Sequence, residues 1–570
     1  RIANINVMNE VRQTQHLLSE IIDFVKMTPW RAEYQNRFER FYDSAEKPCV
    51  LAIAGQVKAG KSSFLNALLG LDLAAVGTTE TTATINVFKY GRVKDPNRPV
   101  MVYWNDGRNP ESQTKAFIDS LQGFTESVLE KAENIDHLEY IIEDDKLEEI
   151  TLVDTPGFAS VVDKHEERMA DYFSERREKL RNKQIEKSGN LTEKADAVIF
   201  LSGPVAKANA QRFFSERIPH ISPFNAVGVM AKIDMINPPI GMNTDKLEEI
   251  NTVKKEAVEL ADFLAETFEH DLHSVLPVSA SLYHCVNKLW QTDRVSELQR
   301  LIREIPSDKF DKRFDKNSEH WFAQEGPYNS FFEKCGLAFS VRQSMVGDMP
   351  WMVFCIIAVA LYYKTLDEAK VFLLDFSGME KVKSVLNDHF FKRSRSIRCC
   401  RVLRDAQQQL VYIKNIELPR KLTEVQSRKS FLKIIDDNTG RYDSHLLEAF
   451  SAFVKRNLSD ASDLNMFQNS IDALLAKIEG LLKSMDDVEK NNDGLLLLNR
   501  VKNLLHGEKE YYELKMLLDQ DHEKLQALPI DYCNKRQRIW NARKQQTNNA
   551  EMKKILSIVC DCYGKLLKNN

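Results

Sequence analysis

Two patterns of apolar spacing divide the chain. Ile5, Val7, Val11, Leu17, Leu18, Ile21, Ile22 and Val25 settle into 3.6-residue spacing and predict an amphipathic helix over 5–25. From Pro48 the texture changes to short apolar runs at 49–54, 84–90, 99–104, 138–143, 149–153, 197–202, 225–231 and 274–278. Helical patterns at 61–69, 160–181, 205–217 and 245–269 separate several of them. Strands alternating with helices predict an α/β domain with a mostly parallel sheet covered on both faces. After about residue 290 the strand signal fades, and 366–376, 379–415, 420–436, 443–458, 463–486, 494–528 and 549–567 read as helices. Breaks between them are expected at Ser377-Gly378, Leu418-Pro419, Asn438-Thr439-Gly440, Asn491-Asn492-Asp493-Gly494 and Leu528-Pro529. No fixed-period repeat is visible, which argues against a solenoid.

Proline placement agrees with this division. Of 17 prolines, 12 precede residue 300 and only Pro419 and Pro529 follow Pro350. Proline removes an N–H and clashes with the preceding turn, so a proline-poor half suits long helices. The longest apolar run, Met349 to Tyr363, holds 15 residues between Asp348 and Lys364. A bilayer span takes roughly 20, so the run reads as a buried helix with Pro350 in its first turn. With 79 Lys+Arg against 83 Asp+Glu, the charge excludes a uniformly basic nucleic-acid coat protein. The nine cysteines contain no CxxC pair, so neither zinc spacing nor a disulfide framework is indicated, and a reducing compartment fits best. The start at Arg1, interrupted by Asn4, Glu10, Arg12 and Gln13, is no signal peptide. The expected location is cytoplasmic or peripheral to a membrane, with other compartments left open.

The chemistry lies in the alternating half. Gly55-Gln56-Val57-Lys58-Ala59-Gly60-Lys61-Ser62, followed by Ser63, matches G-x-x-x-x-G-K-[ST] between an apolar strand and an amphipathic helix. Glycines let backbone N–H groups turn toward phosphate oxygens, Lys61 neutralises the β and γ phosphates, and the Ser62 hydroxyl suits Mg²⁺. The helix that follows places its positive end under the phosphates. Downstream, Leu152-Val153-Asp154-Thr155-Pro156-Gly157 puts a carboxylate at a strand end to hold Mg²⁺ through water, with the Gly157 N–H sensing the γ-phosphate. Ala231-Lys232-Ile233-Asp234 is similar to the guanine-reading N/T-K-x-D: Asp234 accepts from guanine N1–H and N2–H₂, and the Lys232 stem lies over the base. Ser279-Ala280 matches the S-A element whose backbone touches guanine. In Val76-Gly77-Thr78-Thr79-Glu80-Thr81-Thr82, Thr79 is the first choice to close on Mg²⁺ and γ-phosphate, with Thr81 and Thr82 close behind.

Together GQVKAGKSSFLNALLG, VGTTETTATINVFKYG, LVDTPGF and AKID resemble the dynamin-like large GTPases, closest to the bacterial branch. The resemblance runs with falling strength over about 48–410 and includes SGMEKVKSVLNDHFFKRSRSIRCCRVL at 377–403. It implies a P-loop GTPase domain at 48–300, an elongated all-α helical neck and trunk at 301–570, and a joining helix within 1–47. It implies GTP or GDP with Mg²⁺ as ligands, self-association through the GTPase heads, a possible second dynamin-like chain as partner, peripheral contact with anionic lipid, and no nucleic acid. The implied activity is GTP hydrolysis that remodels, tethers or divides membranes.

The sequence departs from the family in the places that matter for rate. Ala231 replaces the usual Asn or Thr, which weakens bracing between base loop and P-loop. Phe158 follows Gly157 where a water-orienting glutamine would stand, and Val57 and Lys58 occupy the positions where dynamins carry Gln and Ser. Lys58 is placed to act as an internal cation toward the phosphates. A low basal rate stimulated by assembly follows, or a switching scaffold with little hydrolysis. For lipid contact, Lys535, Arg536, Arg538, Arg543 and Lys544 around Trp540 suit an anionic surface, with a solvated helix face as the alternative. Leu495 to Leu498 is a second candidate that also suits a core, and the cluster Lys392 to Arg404 reads as an amphipathic neck helix.

Overall fold

The structure is a computed structural model. It describes residues 2–55, 59–70, 85–121 apart from 93, 94 and 96, 134–154, 195–204, 225–236, 246–306 apart from 269–270, 349–437, 461–518 apart from 506, and 528–569 apart from 548, with a few isolated positions besides. The chain forms two compact units. One holds Arg1–Pro48, Ser394–Gln546 and Glu551–Asn570; the other holds Cys49–Arg393 with Thr547–Ala550.

Helices α1 (Ile2–Lys26) and α2 (Arg31–Ser44) precede the sheet unit. Among the described residues its strands are β1 (Cys49–Gly55), β2 (Asn86–Tyr90), β3 (Val100–Trp104), β4 (Glu111–Gln113), β5 (Ile135–Ile142), β6 (Ile150–Asp154), β7 (Ala197–Ser202), β8 (Ala226–Ala231) and β9 (Ser274–Val278). They lie in the order β4-β3-β5-β2-β6-β1-β7-β8-β9. From β6 to β9 every pairing is parallel, and β2 and β5 are parallel too; β2–β6, β3–β5 and β3–β4 are antiparallel. Every residue of β7 and β8 is buried, as expected of central parallel strands covered on both faces. Strand β4, Glu-Ser-Gln, carries no apolar alternation and was not predicted.

The helices of this unit are α3 (Lys61–Leu69), α4 (Lys115–Asp119), α5 (Lys246–Thr267), α6 (Ala280–Trp290), α7 (Arg294–Arg303), α8 (Trp351–Tyr363), α9 (Leu366–Ser377) and α10 (Met379–His389). Helix α8 is the longest apolar run, with Pro350 as its N-cap and every residue from Trp351 to Leu361 buried. Among the described residues no helix is long and apolar enough to cross a membrane. Residues of α5, α6, α7, α8 and α9 share one apolar core with Val198, Phe200 and Met230 of the sheet. That common core places the second boundary between units at 393/394, where a division near residue 300 was expected. The helix expected over 379–415 is accordingly split, with a 3₁₀ turn at Phe391–Arg393 between α10 and α11 (Ser394–Tyr412).

In the helical unit α11 is followed by α12 (Leu418–Asp437), α13 (Ala461–Arg500), α14 (Glu508–Leu518), α15 (Ile530–Gln546) and α16 (Ala550–Asn569). Leu18 and Ile21 of α1, Phe38 of α2, Leu403 and Leu410 of α11 and Ile471 and Ile478 of α13 form one apolar cluster. Leu497 and Leu498 of α13 join Leu514, Leu517, Trp540, Ile555 and Val559 in a second. Leu497 and Leu498 of the leucine run are thus core, with Leu495 partly buried against them.

Two expected breaks are absent. Before Pro419 the helix takes a π turn at Ile413–Glu417, where the Leu418 N–H donates to the Ile413 carbonyl five residues back. The wider turn absorbs a residue with no N–H to give. Gly494 lies inside the unbroken 40-residue α13. A Cβ there would sit 2.5 Å from Leu518 Cδ2 and 3.3 Å from Ile558 Cδ1, so the glycine admits neighbouring side chains and does not end the helix. The Trp540 group is a further correction. Trp540 is fully buried, and its Nε1–H donates to Glu513 Oε1 at 3.0 Å. Arg536 Nε (2.7 Å) and the Tyr563 hydroxyl (2.7 Å) donate to the same oxygen, while Arg543 Nη1 donates to Glu510 Oε2 at 2.6 Å. These side chains clamp α15 onto α14 and α16 and present no aromatic to lipid.

Gly480 and Gly494 share α13 but differ in surroundings, since nothing lies within 4 Å of a Cβ on Gly480. Gly480→Ala should gain about 1 kcal/mol of helix propensity. Gly494→Ala should fall below it by about 1–3 kcal/mol, because Leu518 must leave its rotamer. Urea denaturation of both variants measures the difference.

Candidate nucleotide-binding site

Parallel register delivers the predicted residues to one edge of the sheet. Ile53 pairs with Asp154, Gly55 with Leu201, and Ala231 with Val278. The chain therefore leaves β1, β6, β8 and β9 on the same side, at the carboxyl ends where open α/β sheets bind ligands.

Gly55 is needed for the fold itself, since a Cβ would lie 2.4 Å from the Leu201 carbonyl oxygen of β7. Gln56, Val57 and Lys58 lie outside the described residues. Ala59 is buried, and Gly60 takes left-handed φ 85° as the N-cap of α3. Phe64, Leu65 and Leu68 bury one face of that helix and hold its N-terminus at the strand ends. Ser62 and Ser63 are half-buried.

Lys61, the first residue of α3, is buried, and so is Asp154, the last of β6. Burial lowers the Lys61 pKa below the ordinary lysine range, opposed by the Asp154 charge. Burial pushes Asp154 up to about 6, opposed by Lys61 and by a hydrogen bond from Asn86. The Asn86 amide donates to Asp154 Oδ2 at 3.4 Å, while Oδ1 is buried with no hydrogen-bond partner among the described residues. A buried carboxylate oxygen left without a donor is costly unless a ligand satisfies it. The hard oxygen donors Ser62 and Asp154 therefore fit a hydrated Mg²⁺.

Lys232 takes φ 65° and ψ 37°, the only positive φ outside glycine among the described residues. Its stem reaches back to the P-loop, since a Cβ on Gly60 would lie 3.8 Å from Lys232 Cε. Asp234 follows in a short 3₁₀ turn and is buried. Ser279 is committed to the fold: its hydroxyl caps α6 by accepting from the Leu282 N–H (3.2 Å), and its own N–H donates to the Ser377 carbonyl (2.8 Å). Ala280 is the first residue of α6, where a backbone N–H has no intrahelical partner. Thr79, Thr81, Thr82, Gly157 and Phe158 lie outside the described residues.

Two site residues escaped sequence reasoning. Asn86 is a polar residue in an apolar strand, and its register opposite Asp154 is its only mark. Cys285 of α6 lies in the field of Asp234, and burial together with that charge pushes its thiol up to about 12.

Residues 51–211 match the dynamin family. That match lies wholly within the sheet unit. A bacterial dynamin-like protein of Nostoc punctiforme is 39% identical over 61 residues, 11% of this chain and 8% of that protein. The isoniazid-induced protein IniC of Mycobacterium tuberculosis is 34% identical over 118 residues, 20% of this chain and 22% of that protein. The matched segments thus span less than a quarter of either relative. Among solved structures, an oligomerised bacterial dynamin pair described as sensing and tethering membranes at long range aligns over 90% of this chain and 78% of its own, at 17% identity and a TM-score of 0.26.

Two measurements probe this site. The raised Asp154 pKa means the folded chain holds a proton that the unfolded chain has released between the ordinary carboxylate range and about pH 6. This contribution to stability is present at low pH and lost as pH rises through about 6. Asp154→Asn, an isostere of the protonated acid, should stabilise the nucleotide-free protein at pH 7.5 by about 1–3 kcal/mol and by about half as much at pH 5. Urea denaturation at the two pH values tests this. Lys232→Gly should leave Tm within a few degrees, because relief of about 1 kcal/mol of left-handed strain offsets the added freedom of the unfolded chain. The same variant should bind GTP at least tenfold more weakly in a fluorescent-nucleotide titration, having lost the stem that reaches the P-loop.

Proposed function

We propose that this chain is a dynamin-like GTPase that binds GTP with Mg²⁺ and hydrolyses it to remodel, tether or divide membranes. The buried Lys61–Asp154 pair carries the reading: both charges are kept from water, and one Asp154 oxygen lacks a donor among the described residues, an arrangement a metal-bound triphosphate would complete. In this reading the backbone of residues 55–60 cradles the phosphates, and Lys61 holds the β and γ oxygens. Ser62, Thr79 and Asp154 hold Mg²⁺, which supplies charge neutralisation when bound. Thr79 and Gly157 sense the γ-phosphate, Lys232 and Asp234 read guanine with Ala280, and Lys58 stabilises charge as the γ-phosphoryl passes to water. The helical unit serves as neck and trunk, heads self-associate across nucleotide, and a second dynamin-like chain and an anionic lipid surface are the expected partners.

A second reading, a nucleotide-switched scaffold with little hydrolysis, draws on Val57 and Phe158, neither of which can orient water. GTP hydrolysis with and without anionic liposomes separates the two. The first reading expects slow turnover that liposomes or crowding of heads accelerate, abolished by Lys61→Ala and reduced in single turnover by about tenfold or more in Lys58→Ala. Intact GTP binding with no hydrolysis in any condition would establish the scaffold instead.

A further inference from the structure

The turn between α9 and α10 makes an unusually close backbone contact with the sheet unit's guanine-reading edge. Ser377 is fully buried, and its carbonyl accepts the Ser279 N–H at 2.8 Å. Gly378 follows with φ 69° and ψ −4°, closing α9 and opening α10. A Cβ on Gly378 would lie 2.3 Å from the Pro277 carbonyl oxygen and 3.7 Å from Val278 Cα. Both neighbours are backbone, so neither can swing aside. The Ser377 hydroxyl donates to the Leu374 carbonyl at 2.6 Å, fixing the turn from within. One helical turn further along, the Tyr283 hydroxyl of α6 donates to Glu380 Oε1 (2.6 Å) and accepts from Lys383 Nζ (2.8 Å), both on α10. Three successive levels from the end of β9 into α6, at residues 277, 279 and 283, are therefore seated on 377–383.

We infer that the Ser377–Gly378 turn is a positioning element for base selection, an inference that rests on the guanine reading of Asp234 and Ala280. Ala231 and Val278 are register partners, so Lys232 and Ser279 leave the sheet side by side. Moving Pro277 to Ser279 shifts the start of α6 against Asp234. The P-loop hangs from β1, separated from β9 by β7 and β8; α3 behind it also packs on α6 and α10, so a shift that reached the phosphates would show as lost tripolyphosphate affinity. Displacing the turn thus changes which base is accepted more than how tightly phosphates are held. A segment about 100 residues beyond Ser279 in sequence becomes part of the specificity apparatus.

The test compares affinity for GTP, ATP and Mg²⁺-tripolyphosphate in the full chain, wild type against Gly378→Ala and Tyr283→Phe. Gly70→Ala is the control, with a similar φ of 67° but nothing within 4 Å of the new Cβ among the described residues. Gly378→Ala is expected to reduce the GTP over ATP preference by about tenfold, as expected for misaligned hydrogen bonds to a base, and to hold tripolyphosphate affinity within about twofold. Tyr283→Phe should move the ratio the same way by a smaller factor, and Gly70→Ala should not move it. A preserved ratio in Gly378→Ala, or a parallel fall in tripolyphosphate affinity, overturns the inference. Should Gly378→Ala fail to fold, an unchanged ratio in Tyr283→Phe overturns it. A wild-type chain with no preference for GTP over ATP would instead sink the guanine reading itself, before any variant is compared.

Discussion

Two charged side chains held out of water set the terms for the nucleotide edge. Lys61 and Asp154 end adjacent elements, one opening α3 and the other closing β6. A buried ammonium and carboxylate offset only part of each other's desolvation, so the surrounding polar groups have to be placed with care. Asn86 meets one carboxylate oxygen, and the other has no donor among the described residues. Stability is given up at this edge of the sheet, as it would be at a site that a charged ligand completes. The cores behind it, with β7 and β8 buried throughout, supply the surplus that tolerates it.

Much of this edge was legible in the sequence because phosphate recognition constrains consecutive residues. The P-loop, Asp154 and the Lys232-Ile233-Asp234 turn each announce themselves within a few positions, and the helix over 61–69 and the strands over 197–202 and 274–278 appear residue for residue. Asn86, Cys285 and Ser377 were not legible, since their meaning depends on pairing with residues far along the chain. The domain boundary shifted for the same reason. Helices α7 to α9 have helical periodicity like those of the other unit, and periodicity does not say which apolar surface a helix meets.

Glycine, proline and tryptophan misled in the helical half because each has two uses. Gly494 marks a close approach of side chains and Pro419 a widened turn, where both resemble helix ends in sequence. Trp540 with its arginines has the composition of an interfacial anchor, yet Glu510 and Glu513 consume that chemistry internally. The acidic partners lie some 25 to 30 residues before the tryptophan, beyond the reach of local pattern.

Because α13 runs unbroken past Gly494, it contributes Leu464 to Met485 to one apolar cluster of the helical unit and Leu497 and Leu498 to the other. Two cores that share a single rod of hydrogen bonds do not melt separately without fraying the rod between them. The helical unit thus gains cooperativity along about 60 Å of helix, with its two ends joined into one folding event.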